Sequence, residues 1–243
     1  MPLTNSNILA QLQREILPLQ GLKSTPRTLA MDVGWGPIKY AFPNATFPTG
    51  AIHEFYYDQA EQATASCGFI AGLTSVLMQN GGAALWISAH RMIFPPALKS
   101  FGIEPDKMIF LDLKKEKDVL PAMDEALKCD CLATVVGEIK DLGFTESRRL
   151  QLAVEQSRVT AFVIHPVQPI SKITACVTRW KITPLPSVLP NGMPGVGFPR
   201  WNVELLKVRN GKPGSWQLEW IAGRFRHVPV ISSIYTQQKK KAG

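Results

Sequence analysis

The chemistry available to this chain of 243 residues sits in one acidic strand-to-helix junction, four cysteines, a single well-placed histidine and a few arginine pairs. In a parallel α/β sheet a nucleotide's phosphates rest on the first helix N-terminus. The loop there needs small residues, so that backbone N–H groups can wrap the anion, and a Lys to neutralise the terminal phosphates. The corresponding junction runs Glu54-Phe55-Tyr56-Tyr57-Asp58-Gln59-Ala60-Glu61-Gln62-Ala63-Thr64-Ala65. It offers bulky Tyr57, acidic Asp58 and Glu61, and no Lys. Cys129 and Cys131 form a C-x-C pair with no second C-x-x-C or His pair at zinc-site spacing. With Cys67 and Cys176 they are expected to be reduced core thiols, and no metal site is expected. Histidine is a common general base, yet no nucleophile or metal partner lies near His90 in sequence, so a structural use is expected. Arg179-Trp180 and Arg200-Trp201 interleave cation and aromatic as nucleic-acid grooves do. Neighbouring β positions face opposite ways, however, which predicts buried Trp with exposed Arg.

Elements that position these residues follow from periodicity. Short apolar runs alternate with helical stretches from Ala51 onward. Strands are predicted at 52–57, 83–88, 108–112, 133–136 and 160–164, and helices at 64–80, 95–101, 119–128 and 145–157. Strands spaced by helices mean βαβ units and a parallel sheet. After His165 the texture changes to β runs at 173–182, 201–208 and 215–221, joined by Pro- and Gly-rich turns such as Asn210-Gly211, and these are read as antiparallel strands extending the sheet. Upstream, Ile8, Leu9, Leu12, Ile16 and Leu17 recur at helical spacing before Pro18. Residues 1–20 are therefore read as a helical arm and 21–50, with four prolines between Lys23 and Gly50, as an extended connector. The core domain is placed at 51–228 and a basic tail at 229–243.

Composition narrows the class. With 45% apolar and 19% charged residues the chain can bury one large core, which excludes disordered and collagen-like proteins for its body. The first twenty residues carry Arg14 and Glu15 where a signal peptide needs an apolar stretch, and no apolar run approaches a membrane span. A cytoplasmic protein without membrane contact is expected. Lys239, Lys240 and Lys241 supply three of the eight net positive charges, leaving a mildly basic body.

The order of elements resembles the RecA core across roughly positions 50–222. On that resemblance Tyr57 stands where the phosphate loop has its first Gly, Gln62 and Ala63 stand where it has Gly-Lys, and only Thr64 fits. His90 replaces the catalytic glutamate that ends the strand Trp86-Ile87-Ser88. Gly137 stands where the metal-binding Asp of the Walker B strand belongs, with Glu138 one position late. Phosphoryl transfer depends almost wholly on placing charge around the phosphates and the metal, so neither ATP hydrolysis nor a bound cofactor is expected. The two segments that hold DNA in RecA proteins shrink here to Ile139–Phe144 and Pro166–Ser171, which implies weak or no direct DNA binding.

Two RecA-like groups lack the motor motifs, and the chain is most similar to the ImuA family. That likeness is carried by Ile52-His53-Glu54-Phe55-Tyr56, Phe69-Ile70-Ala71-Gly72-Leu73, Ala84-Leu85-Trp86-Ile87, Met123 to Cys129 and Val135-Val136-Gly137-Glu138. It continues in Thr145 to Ala153, Thr178-Arg179-Trp180, Pro199-Arg200-Trp201 and Lys212-Pro213-Gly214-Ser215-Trp216. The second group, the SulA division inhibitors, is shorter and lacks the Arg-Trp and Pro-Gly-Ser-Trp block. ImuA membership implies an accessory protein of error-prone translesion synthesis within the SOS damage response. It would work beside an ImuB-like Y-family polymerase relative, with RecA as a second partner and a DnaE-type polymerase engaged indirectly. A SulA-like inhibitor binding FtsZ is the alternative, and an enzyme using Thr64, Glu138 and His90 a third reading. Docking is expected at Leu9, Leu12 and Ile16 of the arm and through Lys239, Lys240 and Lys241. Arg148 and Arg149 are read first as solvated or locally paired and otherwise as contacts to an acidic partner.

Overall fold

The structure, a computed structural model, describes residues 34–167, 173–189 and 196–229. Their centre is a nine-stranded sheet of β1 (Ile52–Tyr57), β2 (Ala83–Ser88), β3 (Met108–Asp112), β4 (Leu132–Glu138), β5 (Thr160–Pro166), β6 (Thr178–Leu185), β7 (Arg200–Val208), β8 (Gly214–Ile221) and β9 (Arg224–Val228). The order is β3-β2-β4-β5-β1-β6-β7-β8-β9. Pairing is parallel from β3 through β6 and antiparallel from β6 to β9. Three α-helices flank it: α1 (Ala60–Leu77), α2 (Val119–Ala126) and α3 (Phe144–Ser157).

Burial explains the two strand textures. β5 is covered on both faces, so Ala161 to Ile164 are uniformly apolar and fully buried. In β6 and β7 alternate residues turn inward: Trp180 and Ile182, then Trp201, Val203 and Leu205. One core lies between the sheet and α1, and a second lies under α2 and α3. α1 can sit low on the C-terminal strands because Gly72 has no side chain. A Cβ there would stand 2.7 Å from a Phe225 ring carbon and 3.0 Å from the Trp220 ring. Changing Gly72 to Ala is expected to cost about 1–3 kcal/mol, the usual penalty for overpacking, and equilibrium urea unfolding checks it.

The course of the backbone departs from the sequence expectations at the connector, at β6 and at a ninth strand. Of the segment expected as an extended connector, residues 34–50 are described, and they form 3₁₀ turns (Gly36–Ala41 and Pro43–Ala45) that insert Trp35, Ile38, Phe42 and Phe47 into the core. The Trp35 ring lies 5.1 Å from Phe47 and 5.8 Å from Trp180. Such turns have no long period, so their buried residues leave no periodic signal. Of the strands expected to be antiparallel after His165, the first pairs in parallel with β1, and it starts at Thr178 rather than residue 173. A ninth strand follows a two-residue turn in which Ala222 and Gly223 both have positive φ, 51° and 72°. Hairpin turns of that kind normally announce themselves with Asn or Asp before Gly, and Ala222 hides this one.

Candidate functional site

At the C-terminal ends of β1, β2 and β4, where a RecA-type nucleotide site would lie, packing takes up the residues one by one. Only Asp58 and Gln59 separate β1 from α1. The Asp58 N–H, a donor that could face a phosphate, donates to the Gln62 side-chain oxygen at 2.8 Å, and the Lys181 ammonium pairs with the Asp58 carboxylate. Tyr57 packs against the core, and Gln62 and Ala63 are buried. The Thr64 hydroxyl donates to the Ala60 carbonyl oxygen at 3.1 Å. Asp58 and Glu61 place negative charge at the helix end whose dipole favours an anion, so the junction repels phosphate.

β4 ends with Gly137 and Glu138. Gly137 is buried beside Met123 of α2, and any side chain at 137 would overlap the Met123 sulfur. Its neighbour Glu138 turns into the seam between β2 and β4. There its carboxylate accepts hydrogen bonds from the Trp86 indole N–H at 2.6 Å and the Met92 N–H at 3.1 Å. Burial pushes the Glu138 carboxyl above the usual range, against the pull of these two donors. His90 stands exposed beyond β2. Thr64, Glu138 and His90 therefore have separate environments: a helix backbone, a buried seam and solvent. Restoring the metal-binding residue by Gly137→Asp is expected to destabilise the fold by about 2–3 kcal/mol, since it adds volume and a carboxyl against Met123. Thermal unfolding reads this directly.

A second polar constellation went unrecognised in the sequence. Glu54, fully buried on β1, accepts hydrogen bonds from His165 Nε2 at 3.0 Å, the Thr174 hydroxyl at 2.9 Å and Arg179 Nε at 2.9 Å. The guanidinium of Arg179 also stacks 4.7 Å from the Tyr56 ring centre. Lys207 and Arg209 donate to the carbonyl oxygens of Thr174 and Ala175. Burial alone would raise the Glu54 carboxyl, but the His165 hydrogen bond and the Arg179 charge and hydrogen bond together hold it below the usual range. Arg179 is thus not the exposed arginine expected of an Arg-Trp strand pair: it stands beside Glu54 in the parallel register of β1 and β6 and turns inward to it. With both oxygens engaged and no solvent contact, Glu54 pins the approach to β6 and is closed off from a substrate.

What this edge of the molecule leaves open is apolar. Beside the first half of α1 lies a cleft of about 570 Å³, lined among others by Thr64, Phe94, Leu98, Leu185, Arg200 and Trp201. Phe94, in its lining, is 68% exposed, and Phe198, next in sequence to the lining Pro199, is 49% exposed. A signal for it lay in Phe198, an apolar residue beside the lining Pro199 in a Pro- and Gly-rich connection where solvent exposure favours polar ones. On the opposite face, Phe144, Arg148 and Leu152 line up at four-residue spacing along the exposed side of α3. Arg149 pairs with Asp124 at 3.5 Å, in keeping with its first reading as locally paired. Leu9, Leu12, Ile16 and Lys239 to Lys241 lie outside the described residues. Cys67 and Cys176 are buried, whereas Cys129 and Cys131 are exposed rather than core thiols, because their turn projects past the end of β4. Among the described residues no group of three or more His, Cys, Asp or Glu side chains is placed to hold a metal ion, and no helix is long and apolar enough to cross a membrane.

Comparison with known proteins places this geometry. The chain is 31% identical over 205 residues to Protein ImuA of Caulobacter vibrioides, matched in two strains, with 79% of this chain and 84% of that protein covered. The chain belongs to the ImuA family. The chain is more distantly similar to the cell division inhibitor SulA of Serratia marcescens, 26% identical over 125 residues, which span 50% of this chain and 71% of that one. In structure this ImuA family member is similar to the RadB recombinase, with a TM-score of 0.55 at 14% identity over 82% of this chain and all of that one. The fold is the RecA-like core that the order of elements implied. No family model matches the chain.

Proposed function

We propose that the chain is a non-enzymatic accessory protein of error-prone DNA damage tolerance, an adaptor that docks an ImuB-like protein through apolar surfaces on a RecA-like scaffold. The observation that carries this reading is the division of labour at the C-terminal strand ends. Gln62 and Glu138 spend their hydrogen-bonding groups on the protein's own packing, and an apolar cleft opens beside them. A motor site needs the opposite, preorganised donors aimed at empty, polar space. ImuA membership supports the damage-tolerance context. RecA and a DnaE-type polymerase are the further partners of this reading, and direct DNA contact plays little part in it.

Capture from DNA-damaged cells, with the tag at Met1 and separately at Gly243, tests the proposal. An ImuB-like protein is the expected companion. Phe198→Asp is expected to reduce its recovery by about 30-fold, the effect of losing a hot spot of about 2 kcal/mol, while the thermal midpoint stays put because Phe198 is half exposed. Recovery of FtsZ without an ImuB-like protein would move the assignment to division control. Binding of labelled ATP with micromolar affinity, or hydrolysis abolished by Glu138→Gln, would overturn the non-enzymatic reading.

A further inference from the structure

Cys129, Asp130 and Cys131 form the turn between α2 and β4. The Cys129 N–H closes on the Ala126 carbonyl oxygen at 3.1 Å, and the Leu132 N–H donates to the Cys129 carbonyl oxygen at 3.2 Å, so the three residues are held in a single tight turn. Behind it Gly82, with φ at 83°, lets β2 approach so closely that a Cβ there would stand 3.0 Å from the Cys131 carbonyl oxygen. The turn is therefore anchored at both ends and along its back. Its front faces solvent, and there the two sulfur atoms stand 2.9 Å apart, both exposed.

We infer that Cys129 and Cys131 are a redox-active dithiol, a site that low-molecular-weight disulfides such as oxidised glutathione convert to an intramolecular disulfide. A disulfide needs its sulfurs about 2.05 Å apart on side chains that point toward one another. The sulfurs already face one another across 2.9 Å on exposed side chains, and rotation of those side chains is the motion that closes the gap. Exchange proceeds by thiolate attack. One cysteine thiolate attacks a sulfur of oxidised glutathione, whose S–S bond breaks to release one glutathione thiolate and leave a mixed disulfide. The second cysteine, deprotonated in its turn, attacks the protein-side sulfur of that mixed disulfide and expels the second glutathione. Two electrons pass from the dithiol to the glutathione disulfide, and the two thiol protons end on the released glutathiones. Cys67 and Cys176 lie in the core, where burial raises both thiols, Cys176 to about 12, and denies them both thiolate and access.

The test exposes the folded full-length chain to oxidised glutathione, blocks remaining thiols with an alkylating agent and reads intact and peptide masses. The peptide carrying Cys129 and Cys131 is expected to lose two hydrogens and gain neither alkyl group nor glutathione, with Cys67 and Cys176 alkylated only after unfolding. Cys129→Ser and Cys131→Ser are each expected to keep one glutathione on the remaining cysteine, with unchanged thermal midpoints. Three results would overturn the inference: a stable glutathione adduct on the unmodified pair, a disulfide between two chains on a non-reducing gel, or an unaltered pair under conditions that oxidise the unfolded chain.

Discussion

Glu54→Ala is expected to lower stability by about 3–5 kcal/mol, the cost of removing one partner from a buried ion pair. Arg179, with a side chain only 13% exposed, would keep its charge beneath the 173–177 segment with no carboxylate to face, and His165 and Thr174 would lose their common acceptor. Glu54→Gln keeps the shape and one acceptor oxygen, so it is expected to recover part of the loss. Equilibrium urea unfolding at neutral pH measures both. A cost below about 1 kcal/mol, the range of surface ion pairs, would mean that Arg179 swings out to water and that the cluster does not anchor β6. Because the folded Glu54 carboxyl lies below its usual range, its contribution is fully present above that range and is lost only as pH falls through the depressed value. Glu138, raised by burial, works with the opposite sign: the fold gains from it as pH falls toward and through the ordinary carboxylate range.

Acid is expected to unfold the protein earlier than Glu54 alone would allow, and His53 is the cause. Its ring is fully buried, stacked 4.4 Å from Phe47, with Nε2 at 2.8 Å from the Pro48 carbonyl oxygen and Nδ1 at 2.7 Å from the Thr178 hydroxyl. A carbonyl only accepts, so Nε2 carries the proton. The Trp180 indole N–H already donates to the Thr178 oxygen at 2.6 Å, which leaves the hydroxyl proton to go to Nδ1. The chain of donors runs one way from Trp180 to Pro48 and is complete with a neutral ring. Burial, opposed only by the Pro48 hydrogen bond, lowers the histidine from 6.5 to about 3. Between those values the unfolded chain takes up a proton that the fold refuses, so stability falls as pH falls, by about 1.4 kcal/mol per unit and about 5 kcal/mol across the window. Urea midpoints between pH 7 and 4 are expected to follow that slope. His53→Gln, which cannot titrate, is expected to be less stable at pH 7 and flatter below it. Parallel slopes for the two proteins would remove His53 as the acid-sensitive group.

These residues mark the reach of the sequence. Periodicity alone was enough for three strands of the parallel half: β1, β2 and β3 begin and end where predicted, because strands buried on both faces or alternating across one leave a signal in residue type. The departure from the RecA motifs was equally legible. A phosphate loop is a local requirement, and Tyr57, Gln62 and Ala63 either meet it or do not, as Gly137 does or does not at the metal-binding position. Membership of the ImuA family was carried by short strings in order, and some of their residues have a packing reason, such as Gly72 under Phe225 and Gly137 beside Met123.

Tertiary structure decided where the polar side chains went. Glu54 and Arg179 are 125 residues apart, and only the parallel pairing of β1 with β6 sets them side by side. Glu138 reads in sequence as a displaced metal ligand; its seam with Trp86 exists only once β2 pairs with β4. Trp35 to Phe47 read as a connector because irregular turns bury residues without a period, and the apolar cleft beside α1 draws on three stretches of chain far apart in sequence. Local preference is written residue by residue, whereas a buried charge acquires its meaning from the partner that the fold brings to it.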